Sequence, residues 1–195
     1  MAEKTANATT RSDAPRGRQQ RSSRRDERRN KRDRDDAPKE FEEVVINIDR
    51  VARVVKGGRR FRFKALVVVG NRKDKVGVGV AKGQDVQTAI SKATDVAKKN
   101  LIIIPLYKDT IPHDSETRIS GAHVLIKPAA PGTGIIAGGV IRQIIGVTGI
   151  RNMLSKSLGS TNKVNIAYAT IKALSSLVPR DRWVGIEKKS KRGTK

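Results

Sequence analysis

The most constraining feature of this chain is a pair of apolar runs whose period of two is incompatible with a helix. Apolar residues recur at every second position: Phe61, Phe63, Ala65, Val67 and Val69, and then Val76, Val78 and Val80. Such alternation places one face of a strand in a core and the other toward solvent. The two runs therefore predict two half-buried antiparallel strands joined by the turn GNRKDK.

Residues 44–55 predict a further strand in front of these two. Val44, Ile46 and Ile48 alternate in the same way. The Gly57–Gly58 pair that follows suits a hairpin turn with positive φ at both central positions. The chain thus begins its ordered part with a three-stranded antiparallel arrangement.

The last of these strands has one nearly bare face, since Gly77, Gly79 and Ala81 alternate with its valines. Strand glycines allow another backbone to approach closely. An apolar stripe at helical spacing follows, with Asp85 as the predicted N-cap. Its members are Val86, Ala89, Ile90, Ala93 and Ala97. Three strands and a helix predict a compact α+β domain over residues 41–107.

A second α/β unit is predicted over residues 118–186, after a polar linker at 108–117. Its order is a strand in HVLIKP, a short buried helix in VIRQII, a brief strand in NMLSKSLGS and a longer amphipathic helix from about Asn162. Ser160 or Thr161 is the predicted cap of that last helix. The C-terminal domain is therefore predicted to have β-α-β-α order within an α+β fold.

The two ends of the chain are predicted to be basic tails. Residues 1–40 contain no Val, Ile, Leu, Phe, Tyr or Trp, so we expect a disordered Arg-rich segment. Residues 187–195 form the second tail, and Trp183 before it is predicted to anchor the end of the folded part. The formal net charge is +23, of which residues 37–195 alone carry +18. Nucleic acid is the partner that this excess favours most.

Composition excludes several classes of chemistry. The absence of cysteine removes disulfides, Cys-ligated zinc and a thiol nucleophile. His113 and His123 have no acids or cysteines at ligand spacing, so we expect structural or surface roles, no metal and no catalytic site. No apolar stretch reaches the roughly 18 residues of a membrane helix, and the N-terminus has no hydrophobic signal region. A cytoplasmic protein without a membrane partner is predicted.

The glycine-rich segment GTGIIAGG fits the G-x-G-x-x-G/A dinucleotide pattern at Gly132, Gly134 and Ala137. That pattern requires an acidic residue about 20 positions further on, for the ribose hydroxyls. No Asp or Glu occurs from Thr117 to Arg180. We therefore predict a tight turn that lets the backbone approach RNA or protein, and no cofactor.

The cluster KGGRR is the strongest local signal for a partner. A tight turn projects its like charges together, so an anion such as RNA is predicted to offset their repulsion. The neighbouring aromatics Phe61 and Phe63 could stack bases, as in RNA-recognition motifs. Because they share a strand face with Ala65, core packing is the prediction for both, with the intervening cations facing the partner.

Four segments together resemble a known family. They are KGGRRFRFKALVVVGN, KVGVGVAKG with AISKA, KPAAPGTGIIAGGVIRQIIGVTGIRN and LGSTNKVNIAYATIKAL. In order and spacing the chain resembles small-subunit ribosomal protein five in its bacterial form, over residues 41–186. The resemblance implies a first domain like the double-stranded-RNA-binding fold. It also implies a structural ribosomal protein that binds rRNA and supports subunit assembly in translation.

The resemblance further implies ribosomal proteins four and eight as neighbours, and proximity to the mRNA path. The loop at 50–60 is expected to reach rRNA near the spectinomycin pocket. Gly134 and Arg142 are expected to lie toward protein four, where changes alter decoding accuracy. The predicted rRNA-binding residues are Arg50, Arg53, Lys56, Gly57, Gly58, Arg59, Arg60, Arg62, Lys64, Arg72, Lys73, Lys75 and Lys82.

Two other functions remain open at this point. A free regulator could bind double-stranded RNA outside the ribosome, and sedimentation of cell extract would separate it from a subunit protein. An enzyme could use GTGIIAGG for a nucleotide, which saturable ATP or NAD binding would reveal.

Overall fold

The computed structural model describes residues 41–183, so both predicted tails, 1–40 and 187–195, lie outside the described residues. The strands are β1 Glu42–Val55, β2 Gly58–Gly70, β3 Lys75–Gly83, β4 Leu101–Ile103, β5 Ser115–Ile119, β6 Ala122–Pro128, β7 Ile135–Ile136 and β8 Met153–Gly159. The helices are α1 Val86–Lys99, α2 Gly139–Gly146 and α3 Lys163–Ser175, followed by a 3-10 turn at Arg180–Arg182.

The first sheet has the order β1-β2-β3-β4, and all its neighbours are antiparallel. The three predicted strands are confirmed, and the short β4 adds a fourth at the edge beside β3. Gly57 and Gly58 have φ values of 88° and 146°, which confirms the predicted positive φ at both turn positions. A side chain at either position would strain the backbone, since L residues rarely adopt positive φ.

Strand β1 contains a bulge that the alternation did not predict. The pairing register shifts between Val45 and Asn47, so one extra residue is accommodated on β1. Val44 and Ile46 pack on the core, whereas Ile48 turns to the other face and is 42% exposed. The prediction of a single apolar face through Ile48 is therefore wrong.

The bare face of β3 is covered by helix α1 at very short range. A Cβ added at Gly79 would lie 2.1 Å from the Ala93 carbonyl oxygen, and one at Gly77 would lie 2.3 Å from that of Ala97. The predicted close backbone approach is confirmed, and the approaching backbone belongs to the same chain. Asp85 is the N-cap of α1, as predicted.

Strand β2 is buried on both faces along its second half, although its pattern predicted a half-buried strand. Ala65, Val67 and Val69 pack against α1. The intervening Leu66 and Val68 are also fully buried, because they belong to a core shared with the C-terminal elements. The alternation fails as a guide here, since solvent is excluded from the second face by residues distant in sequence.

The second sheet has the order β5-β6-β8-β7, with β7 parallel to β8. The predicted β-α-β-α domain is confirmed. The prediction of a polar linker at 108–117 is wrong in part, because Ile111 is buried and Ser115 begins strand β5. The prediction of Ser160 or Thr161 as the cap of α3 is also wrong. Asn162 is the N-cap, and its side chain accepts a hydrogen bond from the Val164 N–H at 3.1 Å.

The predicted anchoring role of Trp183 is confirmed. Its indole Nε1 donates to the Val178 carbonyl oxygen at 3.2 Å, and its ring lies 6.2 Å from that of His113. His113 accepts from the Val178 N–H through Nε2 at 2.9 Å. The histidine thus holds the chain end, as a structural histidine would.

Candidate nucleic-acid interface

The β1–β2 hairpin projects beyond the rest of the first sheet. The last β2–β3 pair in this direction is Phe63 with Gly83, whereas β1 and β2 stay paired as far as Val55 and Gly58. We call residues 49–62 the arm. A two-stranded hairpin without further strands is marginally stable in water. The arm is therefore an element that a partner can stabilise.

One face of the arm is rich in cations. The register places Arg53 directly opposite Arg60, and Lys64 opposite Lys82 of β3. An open groove here is lined by the cations Arg53, Arg60, Arg62 and Lys82 together with Val51 and Ala52. Like charges directly opposite on a sheet destabilise it. We call these cations the cationic face; it comprises Arg53, Arg60 and Arg62 of the arm, with Lys64 and Lys82 at its base.

Asp49 is the single acid of the arm and neutralises part of this face. Its carboxylate lies 2.8 Å from the Lys64 ammonium, and the Asn47 amide donates to it at 2.7 Å. The hydrogen bond from Lys64, followed by that from Asn47, holds the pKa of Asp49 below its usual range. Lys64 is therefore less available to an external anion than the arginines of the same face.

The opposite face of the arm has an aromatic and apolar centre with an arginine at either end, and we call it the aromatic face. Its residues are Arg50, Ala52, Val54, Arg59 and Phe61. Phe63 packs on the α1 core as predicted, but Phe61 is 48% exposed. The Arg50 guanidinium lies 3.9 Å from the centroid of the Phe61 ring. Core packing is thus the wrong prediction for Phe61, because helix α1 does not cover the arm.

Three predicted rRNA-binding residues lie at the other end of β2. Arg72 and Lys73 belong to the β2–β3 turn and Lys75 begins β3, about 40 Å from the arm tip at 3.3 Å per strand residue. Arg72 is tied to Glu42, to which its Nη2 donates at 2.7 Å. This hydrogen bond lowers the pKa of Glu42 and raises that of Arg72. Of the thirteen predicted rRNA-binding residues, ten therefore lie in the arm or at its base. The other three lie at the far end of β2.

The β2–β3 turn is shaped by Asn71, which sequence reasoning missed. Its side-chain oxygen accepts from the N–H groups of Lys73 at 2.9 Å, Asp74 at 3.0 Å and Lys75 at 2.9 Å. The turn also docks on the C-terminal elements, since the Arg72 N–H donates to the Val147 carbonyl oxygen at 2.9 Å. The preference of Asn for turns is the signal that could have identified it.

The structure brings Gly134 and Arg142 together. Gly134 lies in the glycine-rich loop with φ 75°, and the Arg142 guanidinium on α2 donates to the carbonyl oxygen of Ile135 at 3.5 Å. The buried Asn152, also missed from the sequence, accepts from the N–H groups of Gly132 at 3.1 Å and Gly134 at 3.0 Å. These N–H groups are occupied, so they do not form the phosphate cradle of a dinucleotide site.

The remaining candidate chemistry is structural. His123 pairs with Glu116 across β5 and β6. Within residues 41–183, no group of three histidine or acidic side chains is arranged to hold a metal ion. Over the same residues, no helix has the length and apolar character needed to cross a membrane.

Comparison with known proteins agrees with this architecture. The family model described as "Ribosomal protein S5, N-terminal domain" matches residues 41–105, and that described as "Ribosomal protein S5, C-terminal domain" matches residues 117–182.

Two curated relatives carry the name "Small ribosomal subunit protein uS5". That of Campylobacter jejuni (strain 81-176) is 54% identical over 138 residues, which cover 71% of this chain and 94% of the relative. That of Pseudothermotoga lettingae is 50% identical over 143 residues, which cover 73% of this chain and 80% of the relative. Both names describe ribosomal proteins rather than enzymes, and the resemblance found in the sequence is confirmed. The chain belongs to the ribosomal protein S5 family.

Proposed function

We propose that this chain is a structural constituent of the small ribosomal subunit in the cytoplasm. It binds rRNA through the arm, supports subunit assembly and influences decoding accuracy together with ribosomal protein four. Its partners are the small-subunit rRNA and ribosomal proteins four and eight, close to the mRNA path. It acts by neutralising phosphates and recognising shape, without catalysis.

The pairing of Arg53 with Arg60 is the observation that carries the proposal. The two arginines are direct cross-strand neighbours on one face of a two-stranded hairpin that has a single acid, Asp49. Repulsion between the two like charges opposes the folding of the isolated arm. Phosphate groups placed between the cations would turn this repulsion into a net attraction. An RNA backbone supplies such anions at regular spacing.

The interface with protein four is proposed at Gly134 and Arg142. Arg142 is exposed on α2 beside the loop that Asn152 holds. A loop fixed by a buried amide presents its side chains to a partner with little loss of conformational entropy on binding. The proposal that ribosomal protein eight is a neighbour rests on the family resemblance alone.

The proposal is tested by charge reversal in the arm. The double variant Arg59→Glu, Arg60→Glu is expected to fold normally, because both side chains are exposed. Tagged wild-type protein should sediment mainly with small subunits, whereas the double variant should remain mostly at the top of the gradient. For binding to subunit cores washed free of this protein, the slope of log affinity against log salt should fall by roughly 2.

A matched control carries the same change in net charge outside the arm. Lys99→Glu with Lys172→Glu alters two exposed helix residues and should incorporate nearly as wild type. Normal incorporation of the arm variant, or equal loss in the control, would contradict a specific role of the arm. A wild-type protein that sediments as a light RNA complex would instead support a free RNA-binding regulator.

A further inference from the structure

The two faces of the arm have different chemistry, and the difference follows from the strand register. Residues of β1 and β2 that are paired point to the same side, so Arg53 and Arg60 share one face while Ala52 and Phe61 share the other. The cationic face suits phosphate groups. The aromatic face has an apolar centre with an arginine at either end, and phosphate neutralisation does not account for it.

Phe61 is the unusual residue of the aromatic face. It lies two residues beyond Phe63 on the same side of β2, where the cover of α1 has ended, and it is 48% exposed. Val54, near the arm tip on the same face, is 77% exposed. Exposing a phenylalanine to water forgoes the free energy that its burial would contribute. Because α1 does not cover the arm, the Phe61 ring stays open to a bound ligand.

The Arg50 guanidinium lies over one face of the Phe61 ring. Its carbon lies 3.9 Å from the ring centroid, within the range of a cation–π contact. Phe61 nevertheless stays 48% exposed, so a further planar group can reach it. Nucleobases stack on such surfaces, and stacking on aromatic and arginine side chains is a main mode of binding to unpaired RNA.

We infer that Phe61 and Arg50 form a stacking site for an unpaired RNA base. The inference rests on the proposed rRNA binding and adds that the arm reads a single-stranded or bulged nucleotide on one face while the other face holds the backbone. Gln84 and Lys92 line an open groove together with Phe61 and with Arg60, Arg62 and Lys82 of the cationic face. They supply polar groups for the edge of the base and for its phosphate.

The experiment uses small subunits that contain this protein, irradiated with short-wavelength ultraviolet light, which joins stacked aromatics and bases directly. A peptide containing Phe61 should carry a cross-linked nucleotide in subunits with wild-type protein and with the Phe61→Tyr variant. Absence of this cross-link in wild-type subunits would overturn the inference.

Affinity for subunit cores washed free of the protein provides the second measurement. Phe61→Leu should weaken rebinding by about 5- to 100-fold at every salt concentration, with an unchanged salt slope, because stacking releases no counterions. Phe61→Tyr should restore affinity, and Ile103→Ala, which removes exposed apolar area on β4 outside the arm, should change it little.

The two proposals fail in different ways. If Arg59→Glu, Arg60→Glu rebinds the cores as wild type, rRNA binding through the arm is wrong. If that double variant loses binding while Phe61→Leu rebinds as wild type, only the stacking site is wrong. Amide hydrogen exchange of the arm, measured in the free variants, distinguishes loss of base stacking from local unfolding of the hairpin. Only local unfolding would accelerate the exchange.

Discussion

Gly79 shows how the size of a single side chain decides whether two elements can pack. Helix α1 lies so close to β3 that a Cβ at Gly79 would come within 2.6 Å of the Ala97 nitrogen, in addition to the Ala93 oxygen. Both are backbone atoms of the helix, which cannot rotate away as a flexible side chain can. The only relief is a displacement of α1 from the sheet.

We therefore expect Gly79→Ala to destabilise the protein by about 1–3 kcal/mol, the usual cost of forcing extra atoms into a packed interior. Urea unfolding of the purified protein measures the difference. Gly146→Ala is the matched control, because no heavy atom lies within 4 Å of the added Cβ. A helical alanine should leave stability unchanged or raise it by up to about 1 kcal/mol. Equal loss in both variants would show that close packing is not the cause.

At the scale of elements, the arm is the part of the molecule whose own side chains oppose its fold. Its backbone pairing is regular from Asp49 to Val55, yet its cationic face sets Arg53 against Arg60. Removing this repulsion should strengthen the arm in the free protein and weaken binding to RNA. Opposite effects of one substitution on stability and on binding are the mark of a surface selected for a ligand.

Arg60→Glu is expected to slow amide exchange in the arm of the free protein by about 1.5- to 5-fold. The substitution turns a repulsive cross-strand pair with Arg53 into an attractive one, which contributes roughly 0.2–1 kcal/mol. Hydrogen exchange by mass spectrometry over residues 51–62 measures the change, and the gain should fade at high salt.

Arg59→Glu serves as the comparison, because Arg59 lies opposite the apolar Val54 and has no cation directly across the sheet. Its arm should exchange at close to the wild-type rate. If the two variants behave alike, the register that pairs Arg53 with Arg60 does not govern arm stability.

At the scale of the whole molecule, the two sheets are joined by one hydrophobic core. Leu66 and Val68 of β2 are buried together with Val124 and Ile126 of β6 and with Leu174 of α3. Backbone contacts add to this junction, since a Cβ at Gly149 would lie 2.2 Å from the Lys73 carbonyl oxygen. The halves that the family models separate are therefore parts of one packed body.

Residues 41–183 should accordingly unfold in a single cooperative transition. Separation of the halves would expose Leu66 and Val68, whose burial contributes roughly 1.5–3 kcal/mol for each side chain. Differential scanning calorimetry of the protein should give equal calorimetric and van't Hoff enthalpies. Two resolved transitions, or a fragment 41–107 that is stably folded without binding a hydrophobic dye, would contradict a shared core.

The sequence alone predicts those features that depend on residues a few positions apart. The strands β2 and β3, the turn at Gly57–Gly58 and the cap at Asp85 all follow from local sterics and hydrogen bonding, and the family resemblance follows from their order. The cationic arm was also predictable, because a hairpin projects its turn wherever the rest of the chain lies.

Tertiary structure decided the features that depend on what lies across a gap in sequence. The second face of β2 is buried at Leu66 because distant C-terminal residues reach it, and Ile48 is exposed because a bulge rotates the strand. Phe61 lies outside the core because α1 ends short of the arm. In each case the same local pattern suits burial and exposure equally, and only the packing of remote elements, which excludes water from some faces and leaves others open, selects between them.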